Sequence, residues 1–298
     1  MNIILGCGIT GLIASQLIKN CIVLERSDIV ASDFLDDSFP KFLHNNEIIR
    51  ELYTALNIQP ITKQFKIGIY ESPMCDFYDN DIDKKKAYEK YCIKKYGKIV
   101  EDKMNGFLAN SVPSYISNKQ QLIDTMYKTN QSKIFLHSEI KNIDLTEHSV
   151  LTNDKKFFYD NLISTIPIDI FNKLASAEIK NIKYLTINVV VAFLSTPILD
   201  LDFIYVPDSN YSFHRINCSA DRRKIVFEFA KQPSIEDCQR FLKDSKIESI
   251  DIKTFSFPIT DEKVTLKNVY FLGRFSEGQY KLKVEDIIDA ARQISKNV

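Results

Sequence analysis

Three glycines near the start of the chain lie at a spacing that suits phosphate binding. Gly6, Gly8 and Gly11 form a G-x-G-x-x-G pattern. An apolar run before it predicts a buried strand, and apolar residues after it recur at helical spacing. The free N–H groups at the start of such a helix attract anions, and a glycine lets the backbone approach a pyrophosphate closely. The pattern therefore predicts a dinucleotide site whose phosphate-binding residues are Gly6, Gly8, Ile9, Thr10 and Gly11.

An acidic residue follows this motif at the distance expected for a ribose contact. A second apolar run, Cys21–Leu24, predicts the next strand and ends at Glu25, about 20 residues after Gly6. The Glu25 carboxylate could accept hydrogen bonds from both ribose hydroxyls, and it would repel a 2′-phosphate. Arg26, the next residue, is a further candidate for cofactor contact. The motif alone leaves FAD and NAD open as alternatives.

A second glycine cluster lies near the other end of the chain. Only 8 of the 298 residues are glycine. Two of them, Gly273 and Gly278, follow an apolar run that predicts a strand at Val269–Leu272. Glycine in such places indicates either a tight turn or a close approach of the backbone to a ligand. A fold that brings both ends of the chain to one ligand would explain both clusters.

The composition excludes several other classes of protein. The chain has 45% apolar and 26% charged residues, which excludes a disordered chain, a collagen and a disulfide-rich miniprotein. Lysine plus arginine and aspartate plus glutamate both number 39, so no overall field attracts DNA or an anionic membrane. The first 18 residues are uncharged, but polar residues and glycines interrupt them. We interpret them as folded structure rather than a signal or a membrane span.

The cysteines and histidines do not have the spacing of a metal site. None of the six cysteines forms a C-x-x-C pair, and the four histidines are scattered, so we expect no bound metal. The simplest interpretation is a set of reduced, mostly buried thiols, which predicts a cytoplasmic protein.

The rest of the chain bears on the choice between the two cofactors. A plain NAD dehydrogenase would continue with alternating strands and helices. Here a helix is predicted at Glu47–Leu56, and a polar helical stretch rich in lysine and tyrosine at Asp76–Gly106. From Ile134 onward the pattern predicts mainly strands, and the chain closes with a strand and an amphipathic helix. The predicted fold class is α/β.

This order of motifs resembles the FAD-dependent flavoprotein family that contains UDP-galactopyranose mutase, protoporphyrinogen-oxidase-like proteins and the flavin amine oxidases. The residues that carry the resemblance are Ile3–Leu12 with Glu25, the stretch Ile140–Pro167 with its Thr165-Ile166-Pro167 end, and Asn268–Arg274 followed by Tyr280. The Gly-Arg pair after a C-terminal strand is the most specific of these motifs.

The resemblance implies a discontinuous Rossmann-type FAD-binding domain made of residues 1–43, 116–170 and 256–298. A helical insertion would cover residues 44–115, and a mainly antiparallel substrate sheet would cover residues 171–255. The cofactor would be FAD, with its pyrophosphate on the N-terminal helix and its flavin ring near Gly273 and Arg274. Ile140 and Thr165 are further candidates for cofactor contact.

The sequence departs from the family pattern in two places. The family's Gly-Gly pair shortly after the ribose acid is absent from Arg26–Ser32. After the Gly-Arg pair, Gly278 stands where the mutases carry the first of two aromatic residues, Tyr280 matches the second, and Leu282 replaces an acid. The first departure bears on backbone contact to the phosphates or the flavin, and the second favours an oxidoreductase over a sugar-nucleotide mutase.

The implied reaction is hydride transfer to the flavin from a C–N or C–H bond of a small-molecule substrate. His44 and Tyr280 are candidates for catalytic residues, and Arg215 and Tyr280 for substrate binding, since a guanidinium can hold a carboxylate or phosphate by two hydrogen bonds. Structural explanations also exist: a loop histidine, an exposed strand arginine, and one of 14 tyrosines. A mutase that uses reduced flavin and a non-catalytic flavin-binding scaffold stay open as alternatives, as does the oligomeric state.

A run of lysines and tyrosines at residues 84–98 has two interpretations. Alternating basic and aromatic residues could bind single-stranded nucleic acid by charge and stacking. The ordinary alternative is a helix whose lysines face solvent while its tyrosines cover the core, and this alternative is favoured.

Overall fold

The computed structural model describes residues 1–35, 43–64, 67–71, 74–76, 81–99, 114–197, 201–219, 221–243, 245–279 and 282–298. Within these ranges the helices are α1 (Ile9–Leu17), α2 (Ser32–Leu35), α3 (Glu47–Ala55), α4 (Asp81–Tyr96), α5 (Lys119–Asn130), α6 (Ile168–Ala175), α7 (Ile235–Leu242) and α8 (Val284–Ser295).

The first twelve strands are β1 (Asn2–Leu5), β2 (Cys21–Leu24), β3 (Leu43–His44), β4 (Thr62–Gln64), β5 (Ile67–Glu71), β6 (Met74–Asp76), β7 (Ser114–Ile116), β8 (Ile134–Phe135), β9 (Ile140–Asp144), β10 (Ser149–Thr152), β11 (Lys156–Phe158) and β12 (Asn161–Ser164). The strands that follow are β13 (Lys183–Leu194), β14 (Phe203–Tyr205), β15 (Phe213–Cys218), β16 (Lys224–Phe229), β17 (Ile247–Ile259) and β18 (Val269–Phe271).

One sheet is parallel throughout and has the order β18-β12-β1-β2-β8. β1 lies between β2 and β12, so that Leu5 is beside Leu24 on one side and Ser164 on the other. All four residues of β1 are buried, as expected for a parallel strand with both faces covered. The prediction of a mixed α/β fold with a parallel sheet is confirmed.

Helices cover one face of the parallel sheet, and a small β-meander with α6 covers the other. Successive residues of β1 point to opposite faces. Ile4 joins Leu12 of α1 and Ile288 of α8 in one apolar core. Leu5 joins a second core that contains Phe171 of α6 and residues of the antiparallel meander β9-β10-β11. The N-terminus of α1 is thereby fixed at the end of β1.

A seven-stranded sheet has the order β17-β13-β16-β15-β14-β5-β6, and its strands are antiparallel except for β14 and β5. Successive side chains of β14 point to opposite faces of this sheet, so two neighbouring residues show what covers each face. Ile204 packs in a core with Phe213 and Phe241 of α7. Tyr205, the next residue, contacts Tyr91 of α4 with the ring centroids 5.2 Å apart.

The segment predicted as a helical insertion, residues 44–115, contains strands as well as helices in its described part. α3 and α4 lie within it. β5 and β6 join the seven-stranded sheet, whereas β4 pairs with β7 in a three-stranded sheet completed by β3. Strands of three to five residues are too short for a periodic apolar pattern to reveal them. The division of the chain into domains stays a prediction.

Across the described ranges, no helix is both long enough and apolar enough to cross a lipid bilayer.

Among the residues whose burial is described, five cysteines are free and buried: Cys7, Cys21, Cys92, Cys218 and Cys238. Burial raises the pKa of the Cys7 thiol to about 12, with a smaller contribution from the Glu25 carboxylate. Burial also raises the pKa of Cys218 to about 12. These two thiols are therefore protonated at neutral pH and poorly nucleophilic.

Candidate functional site

The start of α1 presents backbone N–H groups to an open space. Gly8 is the N-cap residue, and no side chain of the described residues forms a capping hydrogen bond at this N-terminus. The first helical hydrogen bond runs from the Leu12 N–H to the Gly8 carbonyl, so the N–H groups of Ile9 and Thr10 precede it. A Cβ built on Gly8 meets no described atom within 4 Å, and its φ of −64° suits any residue. Neither packing nor backbone conformation requires glycine here.

The other two glycines of the motif are fixed by packing. Gly6 has a φ of +89°, which L side chains rarely adopt. A Cβ on Gly11 would lie 2.0 Å from the Gly6 carbonyl oxygen. Thr165, which follows β12, donates from its hydroxyl to the carbonyls of Leu5 at 2.7 Å and Gly6 at 3.2 Å. The absence of a side chain at Gly6 and Gly11 therefore allows the loop to lie close against the helix. Thr165 bonds to the loop from the end of the neighbouring strand.

The Glu25 carboxylate is turned towards the glycine-rich loop. One of its oxygens accepts the Cys7 N–H at 2.6 Å, and the other accepts the Ser27 N–H and the Ser27 hydroxyl, both at 2.9 Å. Glu25 is half-buried, whereas Arg26 is exposed. The acid predicted for ribose binding thus also anchors the loop that would hold the phosphates.

The segment between β8 and β9 continues this region beside Glu25. The Ser138 N–H donates to the Glu25 carbonyl at 2.7 Å, and the His137 N–H donates to the Ser27 carbonyl at 3.3 Å. Ile140 begins β9 two residues further on and is half-buried. Ile140 thus follows directly on the chain segment that is bonded to Glu25.

Ala31 takes a backbone conformation that usually belongs to glycine. Its φ is +51°, and its N–H donates to the Cys7 carbonyl at 2.9 Å. It lies in the stretch where the family pattern has a glycine pair. The sequence gives no signal of this contact, because alanine does not predict a left-handed conformation. Cys7, Ser27 and Ala31 are the residues of this region that sequence reasoning missed.

The second glycine cluster meets the first. Gly273 follows β18, has a φ of +98°, and would place a Cβ only 2.8 Å from the Thr10 side chain. Its N–H donates to the Glu277 carboxylate at 3.0 Å. Burial raises the pKa of Glu277, although this hydrogen bond opposes the shift. The C-terminal strand end and the first turn of α1 are therefore in direct contact.

Arg274 supports the turn that leads to α8. Its Nε and Nη2 donate to the Leu282 carbonyl at 3.2 and 2.9 Å, and the residue is half-buried. The next residue, Phe275, stacks on Phe257 of β17 with the centroids 5.0 Å apart. Gly278 accepts the Thr260 N–H at 3.0 Å, and a Cβ there would lie 2.7 Å from the Thr260 side chain. Tyr280 lies outside the described residues.

The two remaining candidates lie on other sheets. His44 is exposed and belongs to β3, where it is opposite Tyr115 of β7. Arg215 belongs to β15 and forms an ion pair with Glu228 of β16. Its Nε and Nη2 are 2.9 and 2.6 Å from one carboxylate oxygen. The same oxygen accepts Asn217 Nδ2 at 2.6 Å. Two of the five N–H donors of Arg215 are thus bonded to Glu228.

The tyrosines of α4 face the protein. Tyr88 and Tyr91 are buried, and Tyr91 lies against Tyr205. Lys94 donates to the Val206 carbonyl at 2.8 Å, and burial lowers the pKa of its ammonium group to about 8. Buried rings cannot stack on bases, so these contacts support the interpretation of α4 as a core-covering helix.

Comparison with known proteins gives matches to solved structures. No family model and no curated protein matches the chain. A reduced UDP-galactopyranose mutase is 12% identical, with a TM-score of 0.68, over 100% of this chain and 96% of its own. A CLA-producing fatty acid isomerase from P. acnes is 14% identical, with a TM-score of 0.72, over 99% and 98%. Putrescine oxidase with bound putrescine is 10% identical, with a TM-score of 0.70, over 99% and 98%.

The fold is of the α/β class, with a glycine-rich loop after the strand β1 of a parallel sheet. The chain has the fold shared by this mutase, this fatty acid isomerase and this oxidase. The resemblance predicted from its glycine motifs is confirmed at the level of the fold.

Proposed function

We propose that this chain binds FAD and is an FAD-dependent oxidoreductase of the amine-oxidase or mutase-like type. The observation that carries the proposal is the open space in front of the uncapped N-terminus of α1. Among the described residues nothing requires glycine at position 8, and a pyrophosphate in that space would supply a reason for it.

In this proposal the described residues contact FAD at its pyrophosphate, its ribose and its flavin end. The pyrophosphate would accept hydrogen bonds from the N–H groups of Ile9 and Thr10. The ribose would meet the Glu25 carboxylate, whose Oε2 retains one lone pair beyond the bond from the Cys7 N–H, whereas Oε1 already accepts two hydrogen bonds from Ser27. Arg26 and Ile140 would flank the adenosine end of the cofactor, and Gly273 and Arg274 the flavin end.

Bound FAD supplies a two-electron acceptor that takes a hydride from a C–H bond, including one next to nitrogen. The chain has to position the substrate carbon within about 3–3.5 Å of the acceptor and exclude water. In this proposal the seven-stranded sheet binds the substrate, with Arg215 as a contact, and His44 and Tyr280 are candidates for moving protons. The segments 1–43, 116–170 and 256–298 form the FAD-binding domain of a cytoplasmic protein.

The proposal is tested first by the absorption spectrum of the purified protein and by titration of the apoprotein with FAD. A bound oxidised flavin that is bleached anaerobically by an amine or another small reductant supports an oxidoreductase. Bound flavin with activity only after chemical reduction, and no net redox change, indicates a mutase instead. Failure to bind FAD under any condition contradicts the proposal as a whole.

Replacing Glu25 should weaken FAD binding through both of its contacts. Glu25→Ala removes the proposed ribose acceptor and the anchor of the Cys7 N–H. We expect a loss of about 1–3 kcal/mol, the usual value for hydrogen bonds to a charged group, measured by titration of apoprotein. Ser27→Ala is the control, because it keeps the carboxylate and removes one of its donors. Equal affinities of Glu25→Ala and the wild type would exclude the ribose role.

Replacing Arg274 should change the redox properties of the bound flavin. A positive charge near the ring stabilises the anionic reduced form, so Arg274→Ala should lower the reduction potential and weaken FAD binding by about tenfold. Arg274→Lys should restore only part of this, since an ammonium group cannot copy the fork that donates twice to Leu282. A loss of thermal stability with unchanged potential and affinity would make Arg274 a purely structural residue.

A further inference from the structure

The strand β17 has one side that no described strand covers. It is the first strand in the order of the seven-stranded sheet and pairs only with β13 among the described strands. It is 13 residues long, and residues 251–254 in its middle are exposed on both faces of the sheet. Such an edge offers a row of backbone N–H and C=O groups for pairing with another strand.

A proline indicates which backbone groups point away from β13. Pro258 lies opposite Tyr184 in the β13–β17 ladder. Proline has no N–H, so it is tolerated in a strand where its nitrogen faces the uncovered side. Backbone direction repeats every two residues. The N–H and C=O groups of Ile252 and Thr254 therefore also point to the uncovered side.

The charges in the middle of β17 restrict how two copies could pair. In an antiparallel pair, the backbone N–H and C=O groups of two facing residues either both point towards the partner strand or both point away from it. Because this direction alternates along each strand, even-numbered residues can face only even-numbered residues of an identical strand. The two-fold axis therefore passes between the two copies of one residue. An axis at position 251 would place Asp251 against Asp251, and an axis at position 253 would place Lys253 against Lys253. An axis at Ile252 instead places each Asp251 opposite the Lys253 of the other copy.

We propose that the chain forms a two-fold symmetric dimer in which the β17 strands of two copies pair antiparallel with Ile252 on the axis. The Ile252 side chain is 50% exposed in the single chain, and the two copies of it would meet at the axis. Opposite charges that face each other across strands are favourable, and like charges are unfavourable. Lys253 also interacts within its own chain. The proposed pairing therefore requires only that its side chain is positively charged, not that it lacks a partner in its own chain.

The test is a charge exchange measured by sedimentation velocity over a range of protein concentrations. The wild type should dimerise reversibly. Asp251→Lys, and separately Lys253→Asp, should each raise the dimer dissociation constant by about tenfold or more, because like charges then face each other twice. The double variant Asp251→Lys with Lys253→Asp restores opposite charges in the dimer and should return the constant to near the wild-type value.

A charge-matched control separates a local effect from one of net charge. Asp154→Lys changes the net charge as much as Asp251→Lys does, in an exposed turn of the β9-β10-β11 meander, and it should leave dimerisation unchanged. Circular dichroism and thermal melting establish that each variant is folded. A wild type that stays monomeric at its highest soluble concentration overturns the proposal. A dimer that the single reversals do not weaken, or that the double variant does not restore, also overturns it.

Discussion

Gly8→Val should give a folded protein that purifies without flavin. The φ of Gly8 is one that valine adopts readily, and its Cβ would meet no described protein atom within 4 Å. The branched side chain would nevertheless fill the space in front of the N–H groups that we assign to the pyrophosphate. Loss of those charge-assisted hydrogen bonds should weaken FAD binding by more than about 3 kcal/mol, which is over about 100-fold in Kd.

The measurement is a pair of titrations of wild-type and Gly8→Val apoprotein with FAD, accompanied by denaturant unfolding of both apoproteins. The unfolding midpoints should nearly coincide, because the apoprotein gains no clash at this position. Gly8→Ala should fall between the two in affinity, since it adds a single methyl group. A Gly8→Val protein that retains a full complement of flavin would show that this space is not the phosphate site.

Gly11→Ala should have the opposite signature, with a large loss of stability in the apoprotein itself. The added Cβ would lie 2.0 Å from the Gly6 carbonyl oxygen and 3.0 Å from the Gly6 carbonyl carbon. Both are backbone atoms of a loop residue that is hydrogen-bonded to Thr165 and to Leu24 at the end of β2, so relief of the clash requires α1 and this loop to separate. We expect a loss of at least about 3 kcal/mol in the free energy of unfolding.

Denaturant unfolding in the absence of FAD measures this effect, and Gly8→Ala is the matched control. The two variants make the same chemical change three positions apart in one motif. Only the change at Gly11 should lower the unfolding midpoint. If Gly11→Ala unfolds at the wild-type denaturant concentration, the close approach of α1 to Gly6 does not exist in solution.

The parts of the site that local patterns encode could be predicted from the sequence. The strand before Gly6, the helix after Gly8 and the acid at Glu25 follow from residue type and spacing within one βαβ unit. For the second glycine cluster, the sequence predicted only that both ends of the chain meet at one ligand. It did not predict the contact between Gly273 and Thr10. Its geometry depends on the order of strands in the parallel sheet, which local pattern does not specify.

Other contacts could not be predicted, because they are made by ordinary residues in tertiary context. The left-handed conformation of Ala31 depends on its bond to the Cys7 carbonyl, and nothing in the residue itself signals it. Arg215 was expected to bind substrate, yet its ion pair with Glu228 depends on the register of β15 against β16. Arg274 was expected beside the flavin, and its bonds to Leu282 depend on the shape of a turn.

The contact between Gly273 and Thr10 has a consequence for synthesis of the protein. The strand β1 pairs with β12, and β12 pairs in turn with β18, which the ribosome makes much later than β1. The candidate site is therefore incomplete while the ribosome is still making residues before Gly273. A nascent chain can contain β1, α1 and β2 early, but the contact between Gly273 and Thr10 joins residues far apart in the sequence and must wait until β18 has been made. In the proposed function, FAD binding then follows the formation of β18, and products truncated before β18 lack Gly273 and Arg274.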